Sequence, residues 1–364
     1  MPQTLPNTMH FRLALQLREQ VRELAPGSEL PTQRELMQHF KVSQLTLEKA
    51  LARLRREGLV HRPAGKQRLV RADLCDPALR RIIFVRPDYP SDIFEAIIRI
   101  GVEAGHAKGW GFDHIYFRDL AHLDLARAIG DNDAAVLQLG DVMPDSLRRV
   151  LRRSRKPVVL VQESGAQAGI SSVASDDARM AEMAVEHFAA LGHREVAMLL
   201  PSDQGWAMSQ AIAGWRKGVT GILRADPERW LINCHNQAGQ DAMALAYSTF
   251  RNWLAQHPPV TALYAATTPM ALGALRALRE AHFNVPRDMC LVVSCGLSGM
   301  GPYLAPPATG LEYDLKEYGH LMIDALEAAM TRPEELPKHY TLKPYLVQRE
   351  STVPLDQMAH RTPR

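Results

Sequence analysis

Residues 30–60 read LPTQRELMQHFKVSQLTLEKALARLRREGLV, and this stretch decides the fold of the N-terminal part of the chain. Thr32 and Glu35 have the spacing of a capping box, in which each side chain satisfies a free backbone N–H at the start of a helix. Ser43 can cap a second helix. The apolar residues of that second helix recur on one face: Leu47, Ala50, Leu51 and Leu54. Only two or three residues separate the two helices, so the stretch predicts a helix-turn-helix.

The flanking sequence completes a small domain. Upstream, apolar residues at helical spacing predict a further helix: Leu13, Leu17, Val21 and Leu24. Downstream, LVHRPAGKQRLV at 59–70 reads as a strand, a glycine-containing turn and a second strand. A short basic hairpin after a helix-turn-helix is a wing. Residues 1–71 are therefore predicted to form a winged helix-turn-helix domain.

The charge of the chain is unevenly distributed. The formal net charge is only +3 over 364 residues. Residues 1–75 hold 13 Lys and Arg against 7 Asp and Glu, whereas the remainder holds 30 against 33. A basic small domain joined to a slightly acidic large one indicates a polyanionic partner for the first segment alone.

The stretch ELPTQRELMQHFKVSQLTLEKALARLRREGLVHRPAGKQRLV at 29–70 resembles the DNA-binding domain of the GntR family of bacterial transcription regulators. The resemblance implies double-stranded operator DNA as a partner. The capped start of the recognition helix would enter the major groove, where base edges carry distinct donors and acceptors. The residues expected to contact DNA lie in the helix-turn-helix and at the tip of the wing: Arg34, Ser43, Gln44, Leu45, Thr46, Glu48, Lys49, Gly65 and Lys66.

Two of these positions depart from the family's pattern. The family usually has an Arg after the Ser or Thr of the turn and another basic residue about four positions later, where this chain has Gln44 and Glu48. Gln can pair with adenine, and Glu can accept a hydrogen bond from cytosine. Two fewer cations also reduce counterion release. We therefore expect DNA binding of modest affinity and unusual base preference.

The remaining three quarters of the chain have a different pattern. Residues 72–80 have charge and a proline but little periodicity, and they are interpreted as a linker. From residue 81, short apolar runs such as RIIFVRP, AAVLQLGD and PVVLVQES alternate with helical segments. Such alternation favours an α/β fold with parallel sheets and helices on both faces, and the length favours two lobes.

This part resembles the sensor domain of the LacI/GalR family, which has the type I periplasmic-binding-protein fold. The most specific stretches are EHFAALGHREVAML at 186–199 and MALGALRALRE at 270–280. The resemblance implies two lobes within 81–352, with chain crossovers near 174, 312 and 338. The implied first lobe comprises 81–174 and 313–338, the second lobe comprises 175–312 and 339–352, and 353–364 form a flexible tail.

The resemblance also implies a small-molecule effector between the lobes, at the carboxyl ends of the strands. The residues expected to contact the effector lie at predicted strand ends: Tyr89, Ser91, Asp92, Gln138, Glu163, Ser175, Trp206, Ser209, Thr267 and Tyr313. Sugar-sensing relatives carry Arg, Asn-Asp and acidic groups where this chain has Ala211, Thr267-Thr268 and Gly296-Leu297.

Those replaced groups are the ones that pair with sugar hydroxyls. Their absence argues against a simple monosaccharide and favours aromatic stacking on Tyr89 or Trp206. A degenerate pocket that senses nothing is the alternative.

Other function classes lack their motifs in this sequence. No nucleophile elbow, P-loop, dinucleotide fingerprint or metal-spaced Cys/His set occurs, so we expect neither an enzyme nor a cofactor or metal. No apolar run is long enough to span a membrane, and the first residues do not read as a secretion signal. These features argue against a solute-binding protein of a transporter and favour a cytoplasmic, ligand-responsive regulator. The architecture implies a homodimer and, by its usual outcome, a repressor.

Overall fold

The architecture was taken from a computed structural model of the chain. It describes residues 13–14, 16–18, 20–21, 24–25, 27–56, 59–61, 68–71, 80–88, 92–140, 143–154, 156–237, 240–256, 258–296, 299–332 and 337–358. Within these residues, no helix is both long and apolar enough to cross a lipid bilayer.

The N-terminal region contains the predicted helix-turn-helix and a two-stranded hairpin. Helix α1 spans Gln33–Phe40 and α2 spans Gln44–Arg56. Strand β1 (Val60–His61) pairs antiparallel with β2 (Val70–Arg71). This region, which we call the head, therefore has the helices and the paired strands of a winged helix.

The core of the head is formed by the residues that the periodicity selected. On α2, Leu47, Ala50 and Leu54 are fully buried. They pack in one cluster with Leu36 of α1 and with upstream helical residues, among them Leu17. Because each fully buried Leu contributes about 2 kcal/mol through apolar burial, this cluster is what makes so small a unit stable.

The described residues from 80 onwards, which we call the body, contain two six-stranded sheets. The first sheet contains β3 (Arg81–Pro87), β4 (Gly111–Phe117), β5 (Ala134–Gln138), β6 (Val158–Val161), β7 (Ser172–Ser175) and β13 (His339–Leu342). The second contains β8 (Val196–Leu200), β9 (Leu231–Asn233), β10 (Ala262–Ala265), β11 (Cys290–Gly296), β12 (Thr309–Glu312) and β14 (Tyr345–Val347). The strand orders are β13-β7-β6-β5-β3-β4 and β14-β12-β11-β10-β8-β9. Among the strand pairs described in these two sheets, β12–β14 is antiparallel and the others are parallel.

Helices cover both faces of each sheet. They are α3 (Asp92–His106), α4 (Leu125–Ile129), α5 (Asp145–Arg153), α6 (Asp177–Ala190), α7 (Trp206–Gly218), α8 (Ala242–Leu254), α9 (Thr268–Glu280) and α10 (Leu315–Thr331). In β3, Ile82 and Phe84 face the side of α3 and α10, whereas Ile83 and Val85 face that of α4 and α5. Burial on both faces explains why these strands read as unbroken apolar runs.

We call the part of the body built on the first sheet lobe 1 and the part built on the second sheet lobe 2. Helices α6 and α7 of lobe 2 pack at close range. A side-chain carbon at Gly214 of α7 would lie 1.9 Å from the carbonyl oxygen of Ala178 on α6, so only glycine permits this approach. One apolar cluster then continues through both lobes and includes Met322 of α10 and Trp215 of α7. The lobes therefore share a packed base.

The chain passes between the lobes three times, and the third passage differs from the prediction. The first two passages lead from β7 to α6 and from β12 to α10. The expected third crossover near 338 is too early, because β13 pairs with β7 in the first sheet. The passage lies instead between Leu342 and Tyr345. His339 begins a strand that pairs with Ser172, 167 residues earlier, and nothing in the local sequence indicates this pairing.

The predicted flexible tail is also partly wrong. Residues 355–357 form a short helical turn, and the backbone N–H of Leu355 donates to the carbonyl of Leu191 at 2.8 Å. Met358 is buried in the cluster that the two lobes share. Residues 353–358 therefore pack onto the body, and 359–364 lie outside the described residues.

Candidate nucleic-acid interface and ligand cleft

The capping box at the start of α1 is formed as predicted. The Thr32 hydroxyl accepts a hydrogen bond from the backbone N–H of Glu35 at 3.2 Å, and the Glu35 carboxylate accepts one from the N–H of Thr32 at 2.7 Å. These bonds from Thr32 hold the pKa of Glu35 below its ordinary value. Lys41 ends the helix in a left-handed conformation (φ 51°), and this conformation turns the chain towards α2.

The start of α2 is exposed, as a recognition helix requires. Ser43, Gln44, Glu48 and Lys49 are exposed, and Leu45 retains 61% of its surface. Buried residues on the opposite side fix the helix to the core of the head. One face of α2 is therefore packed on the core of the head, and the opposite face is exposed to solvent.

The exposed polar side chains are tied to one another. The hydroxyls of Ser43 and Thr46 lie 2.9 Å apart, and the Ser43 oxygen also accepts from the backbone N–H of Thr46. The Gln44 amide donates from Nε2 to Oε1 of Glu48 at 2.8 Å. These two pairs fix the geometry of the helix start before any partner arrives.

Two other DNA contacts were predicted at the tip of the wing. Gly65 and Lys66 lie outside the described residues. Arg34 is exposed on α1. Its placement on the helix before α2 leaves it available for a phosphate contact, which positions a protein on DNA without reading bases.

A cavity of about 290 Å³ lies between the two lobes of the body. Lobe 1 contributes Met143, Arg148, Glu163, Ser164, Gln167 and Ala168, and lobe 2 contributes Asp203, Gly205, Trp206 and Ser209. Three of the ten predicted ligand residues line it, namely Glu163, Trp206 and Ser209. The cavity is at the carboxyl ends of the strands, where parallel sheets place ligands.

Glu163 places a nearly buried carboxyl group in the wall of this cavity. Its side chain is only 8% exposed, and Oε1 accepts a hydrogen bond from the backbone N–H of Ser164 at 3.0 Å. Burial raises the pKa of Glu163 to about 7, although the Ser164 bond and the charge of Arg148 act in the opposite direction. The carboxyl therefore changes its protonation near neutral pH, and it can donate or accept a hydrogen bond there.

Arg148 also lines the cavity, but it was not among the predicted ligand residues because it lies on a helix and not at a predicted strand end. Its guanidinium donates from Nη1 to Asp145 at 2.7 Å, while its buried Nε has no hydrogen-bond partner among the described residues. A second, more open cavity of about 470 Å³ adjoins Arg148 and is lined also by Asp145, Arg149 and Arg152. The cleft thus opens beside a strongly basic helix.

Two predicted ligand residues, Ser175 and Tyr313, form hydrogen bonds at the crossovers between the lobes and do not line the cavity. The Ser175 hydroxyl donates to Oδ2 of Asp177 at 2.9 Å, and the Tyr313 hydroxyl donates to Oδ1 at 3.4 Å. Desolvation raises the pKa of Asp177 to about 7. Because Ser175 ends β7 and Tyr313 follows β12, Asp177 links two of the three passages between lobes.

The other predicted ligand residues that the structure describes do not line the cavity. The Gln138 amide is buried and donates from Nε2 to Oε1 of Gln162 at 2.8 Å. Thr267 precedes α9 and makes no side-chain capping bond there. Asp92 is the first residue of α3, and Tyr89 and Ser91 lie outside the described residues.

Two family models match the chain. The model of bacterial regulatory proteins of the gntR family matches residues 12–70. A model of a periplasmic binding protein-like domain matches residues 185–352. The chain therefore carries a gntR-type helix-turn-helix domain followed by a periplasmic binding protein-like domain.

The chain is similar to several curated transcription regulators. The HTH-type transcriptional repressor MelR of Bacillus subtilis (strain 168) is 25% identical over 227 residues, which cover 59% of this chain and 62% of MelR. The HTH-type transcriptional regulator GalR of Lacticaseibacillus casei is 24% identical over 270 residues, which cover 72% and 78%. The lactose operon repressor of Escherichia coli (strain K12) is 25% identical over 187 residues, which cover 51% and 49%. The chain thus spans less than two thirds of the length of MelR and of the lactose repressor.

Solved structures share the fold of the body. A LacI family transcriptional regulator from Enterococcus faecium with bound ribose superposes with a TM-score of 0.65 at 21% identity, over 76% of this chain and all of that one. The complex of the transcriptional regulator CelR with cellobiose superposes with a TM-score of 0.66 at 21% identity, over 86% and 92%. The body therefore has the two-lobed fold of LacI-family regulators.

Proposed function

We propose that the chain is a ligand-responsive transcription regulator, most simply a repressor, in which the head binds operator DNA and the body binds a small effector. The observation that carries the proposal is the combination of an exposed recognition-helix start on a basic head with a cavity between two lobes. The relatives that are repressors support it.

The mechanism follows from linkage between the cleft and the lobes. An effector that contacts Glu163 in one lobe and Trp206 in the other stabilises one angle between the lobes. It changes operator affinity only by the difference in its affinity for the two arrangements. In a homodimer, a change in lobe angle alters the spacing of two heads on a pseudo-palindromic operator. We propose such a dimer in the cytoplasm.

Binding of the head to DNA is tested by selecting tight binders of the full-length chain from random duplexes. Affinity for a selected duplex is then measured against salt concentration. Arg34→Ala and Lys66→Ala should each lower affinity for all sequences and reduce the slope of log K against log salt by about one. Arg216→Ala, which removes an exposed cation from the body, is the matched control and should leave the slope unchanged. Absence of any salt-dependent duplex binding would overturn the proposal.

Binding in the cleft is tested by thermal shift of the full-length chain with ribose, cellobiose, nucleosides and aromatic acids as probes. A compound that binds only the folded state raises the melting temperature. We expect ribose to give no shift and a larger or aromatic probe to give one that Trp206→Ala removes. If no probe shifts melting while operator binding is intact, the alternative of a non-sensing pocket is favoured.

A further inference from the structure

We propose that Glu48 is a positioning residue that holds the Gln44 amide for reading adenine of an A·T base pair in the major groove. This inference rests on the proposed DNA-binding function. Nothing in the similarity to the gntR family supplies it, because both positions depart from the basic residues usual there. What carries it is the hydrogen bond from Nε2 of Gln44 to Oε1 of Glu48 at 2.8 Å, between two exposed side chains one helical turn apart.

The bond leaves a definite pattern of free groups on Gln44. A side-chain amide has two N–H donors and one carbonyl acceptor. Glu48 takes one donor, so one N–H and the carbonyl oxygen remain for a partner. Adenine presents the complementary pair in the major groove, an acceptor at N7 and a donor at N6. The paired Gln44 therefore keeps the two groups that recognise adenine.

The same arrangement disfavours the other purine. Guanine presents two acceptors, N7 and O6, to the major groove. The carbonyl oxygen of Gln44 would face one of them without a hydrogen, and the Glu48 carboxylate adds negative charge beside it. An Arg at position 44, as the gntR pattern has, would favour guanine instead. The change to a Gln and Glu pair thus converts the expected preference from guanine to adenine.

Glu48 acts by holding the Gln44 side chain in one conformation and not by attracting DNA. A free Gln side chain loses considerable rotamer freedom when it binds a base, and a side chain already fixed by a neighbour loses less. A carboxylate near phosphates is repelled by them, so Glu48 cannot increase affinity for DNA in general. A positioning role therefore predicts two effects of removing Glu48. Discrimination between A·T and G·C should weaken, and non-specific binding to DNA should become stronger.

Neighbouring groups leave Gln44 as the reader. Ser43 and Thr46 bond to each other and to the first turn of the helix. Lys49 is a cation suited to phosphate or guanine rather than adenine. Among the polar side chains described at the start of α2, Gln44 has the donor and acceptor set that adenine needs.

The experiment uses the full-length chain and three variants, Gln44→Ala, Glu48→Ala and Glu48→Gln. Operators are selected for the natural chain, and the A·T pair that Gln44→Ala no longer prefers is identified. Affinities are then measured by fluorescence anisotropy for that operator, for the same duplex with G·C at the identified pair, and for random DNA. All side chains changed are exposed, and the melting temperature of each variant confirms that it is folded.

We expect the natural chain to prefer A·T over G·C at one pair by about tenfold or more. Gln44→Ala should abolish this preference. Glu48→Ala should reduce it to about threefold or less and raise affinity for random DNA about two- to fivefold, since it removes a charge repelled by phosphates. Glu48→Gln keeps an acceptor oxygen without the charge. It should restore the preference for A·T while random DNA is still bound more tightly.

Other results would overturn the inference. A cytosine preference that is lost in Glu48→Ala and kept in Gln44→Ala would mean that Glu48 reads a base directly. Equal loss of preference in Glu48→Gln and Glu48→Ala would exclude the hydrogen bond as the cause. If Arg34→Ala still flattens the salt dependence but neither Gln44 nor Glu48 variants change base preference, only this inference fails. If no chain binds any duplex, the proposed function fails with it.

Discussion

The head and the cleft hold their acidic side chains in opposite ways. Glu35 on the head is exposed, and hydrogen bonds from Thr32, three residues away, lower its pKa. Glu163 in the cleft is nearly buried, and loss of water raises its pKa to about 7. The head therefore fixes charged groups by local bonds in solvent, whereas the cleft shifts a group by surrounding it with distant residues.

This difference separates the tasks of the two regions. The polar groups at the start of α2 are bonded to residues three or four positions away, so the head presents a fixed pattern that depends little on the rest of the chain. The wall of the cleft comes from both lobes, from Met143 to Ser209, and changes whenever the lobes move. A rigid reader and a deformable sensor are what ligand control of DNA binding requires.

The largest effect on stability is expected when Leu47 of α2 is replaced, in contrast to Leu45, two residues earlier on the same helix. Leu47 is fully buried in the head, and Leu45 is 61% exposed. Leu47→Ala should destabilise the head by about 2–5 kcal/mol, because it removes buried atoms and leaves a cavity. Hydrogen exchange of the α2 amides in the full-length chain measures this loss.

Leu45→Ala is the matched control for Leu47→Ala, since it removes the same atoms from the same helix. It should change stability by less than about 0.5 kcal/mol. Similar acceleration of amide exchange in the two variants would mean that α2 has no distinct buried face. The head would then not be the rigid half of the contrast with the cleft.

The next effect concerns the pH dependence of stability through Glu163. Because its pKa rises from 4.5 in the unfolded chain to about 7 in the folded one, the folded state binds this proton more tightly. Its contribution to the free energy of unfolding falls as pH rises from about 4.5 to 7, by up to about 3 kcal/mol, and then stays low. Glu163→Gln should equal the natural chain near pH 4 and melt at a higher temperature at pH 8.

Glu35→Gln provides the opposite sign as a control. Because the pKa of Glu35 is lowered, its contribution is present at neutral pH and is lost as pH falls through its folded pKa. The variant should therefore differ from the natural chain at pH 7 and approach it in acid. Melting curves of the two variants that shift in the same direction with pH would contradict the contrast between local bonding and burial.

The smallest effect is expected at the cap of α1. Thr32→Ala removes the hydroxyl that accepts from the N–H of Glu35, and it should lower the stability of the head by about 1 kcal/mol. Thr32→Ser keeps the hydroxyl and should be close to neutral. Amide exchange of α1 measures both variants. A cost at Thr32→Ser equal to that of Thr32→Ala would show that packing of the methyl group, and not the cap, is responsible.

Local features of the head were predicted well from the sequence. The capping box at Thr32, the buried face of α2 and the strand pair of the wing depend on residues three or four apart or on a short hairpin. The α/β fold of the body followed from the alternation of apolar runs and helices. The alternation in the body is repeated many times along the chain, so one irregular position does not obscure it.

The cleft was predicted only in part. Strand ends indicated Glu163 and Trp206, which do line the cavity. They also indicated Ser175 and Tyr313, which bond to Asp177 at the crossovers instead. Arg148 was missed because a helix, and not a strand end, carries it to the cavity. A strand end gives the edge of the sheet that a residue occupies, but not the neighbour that its side chain meets.

The sequence by itself determined the two-part organisation, the helix-turn-helix and the identity of the exposed groups on α2. All of these arise from periodicity and from bonds within one or two helical turns. Only the tertiary structure decided that β13 joins the first sheet, that Asp177 links two crossovers and that Glu163 is desolvated. Burial and long-range pairing depend on segments that lie far apart in the chain, as in the bond between Ser172 and His339, which are 167 residues apart. Only a folded chain brings such segments together.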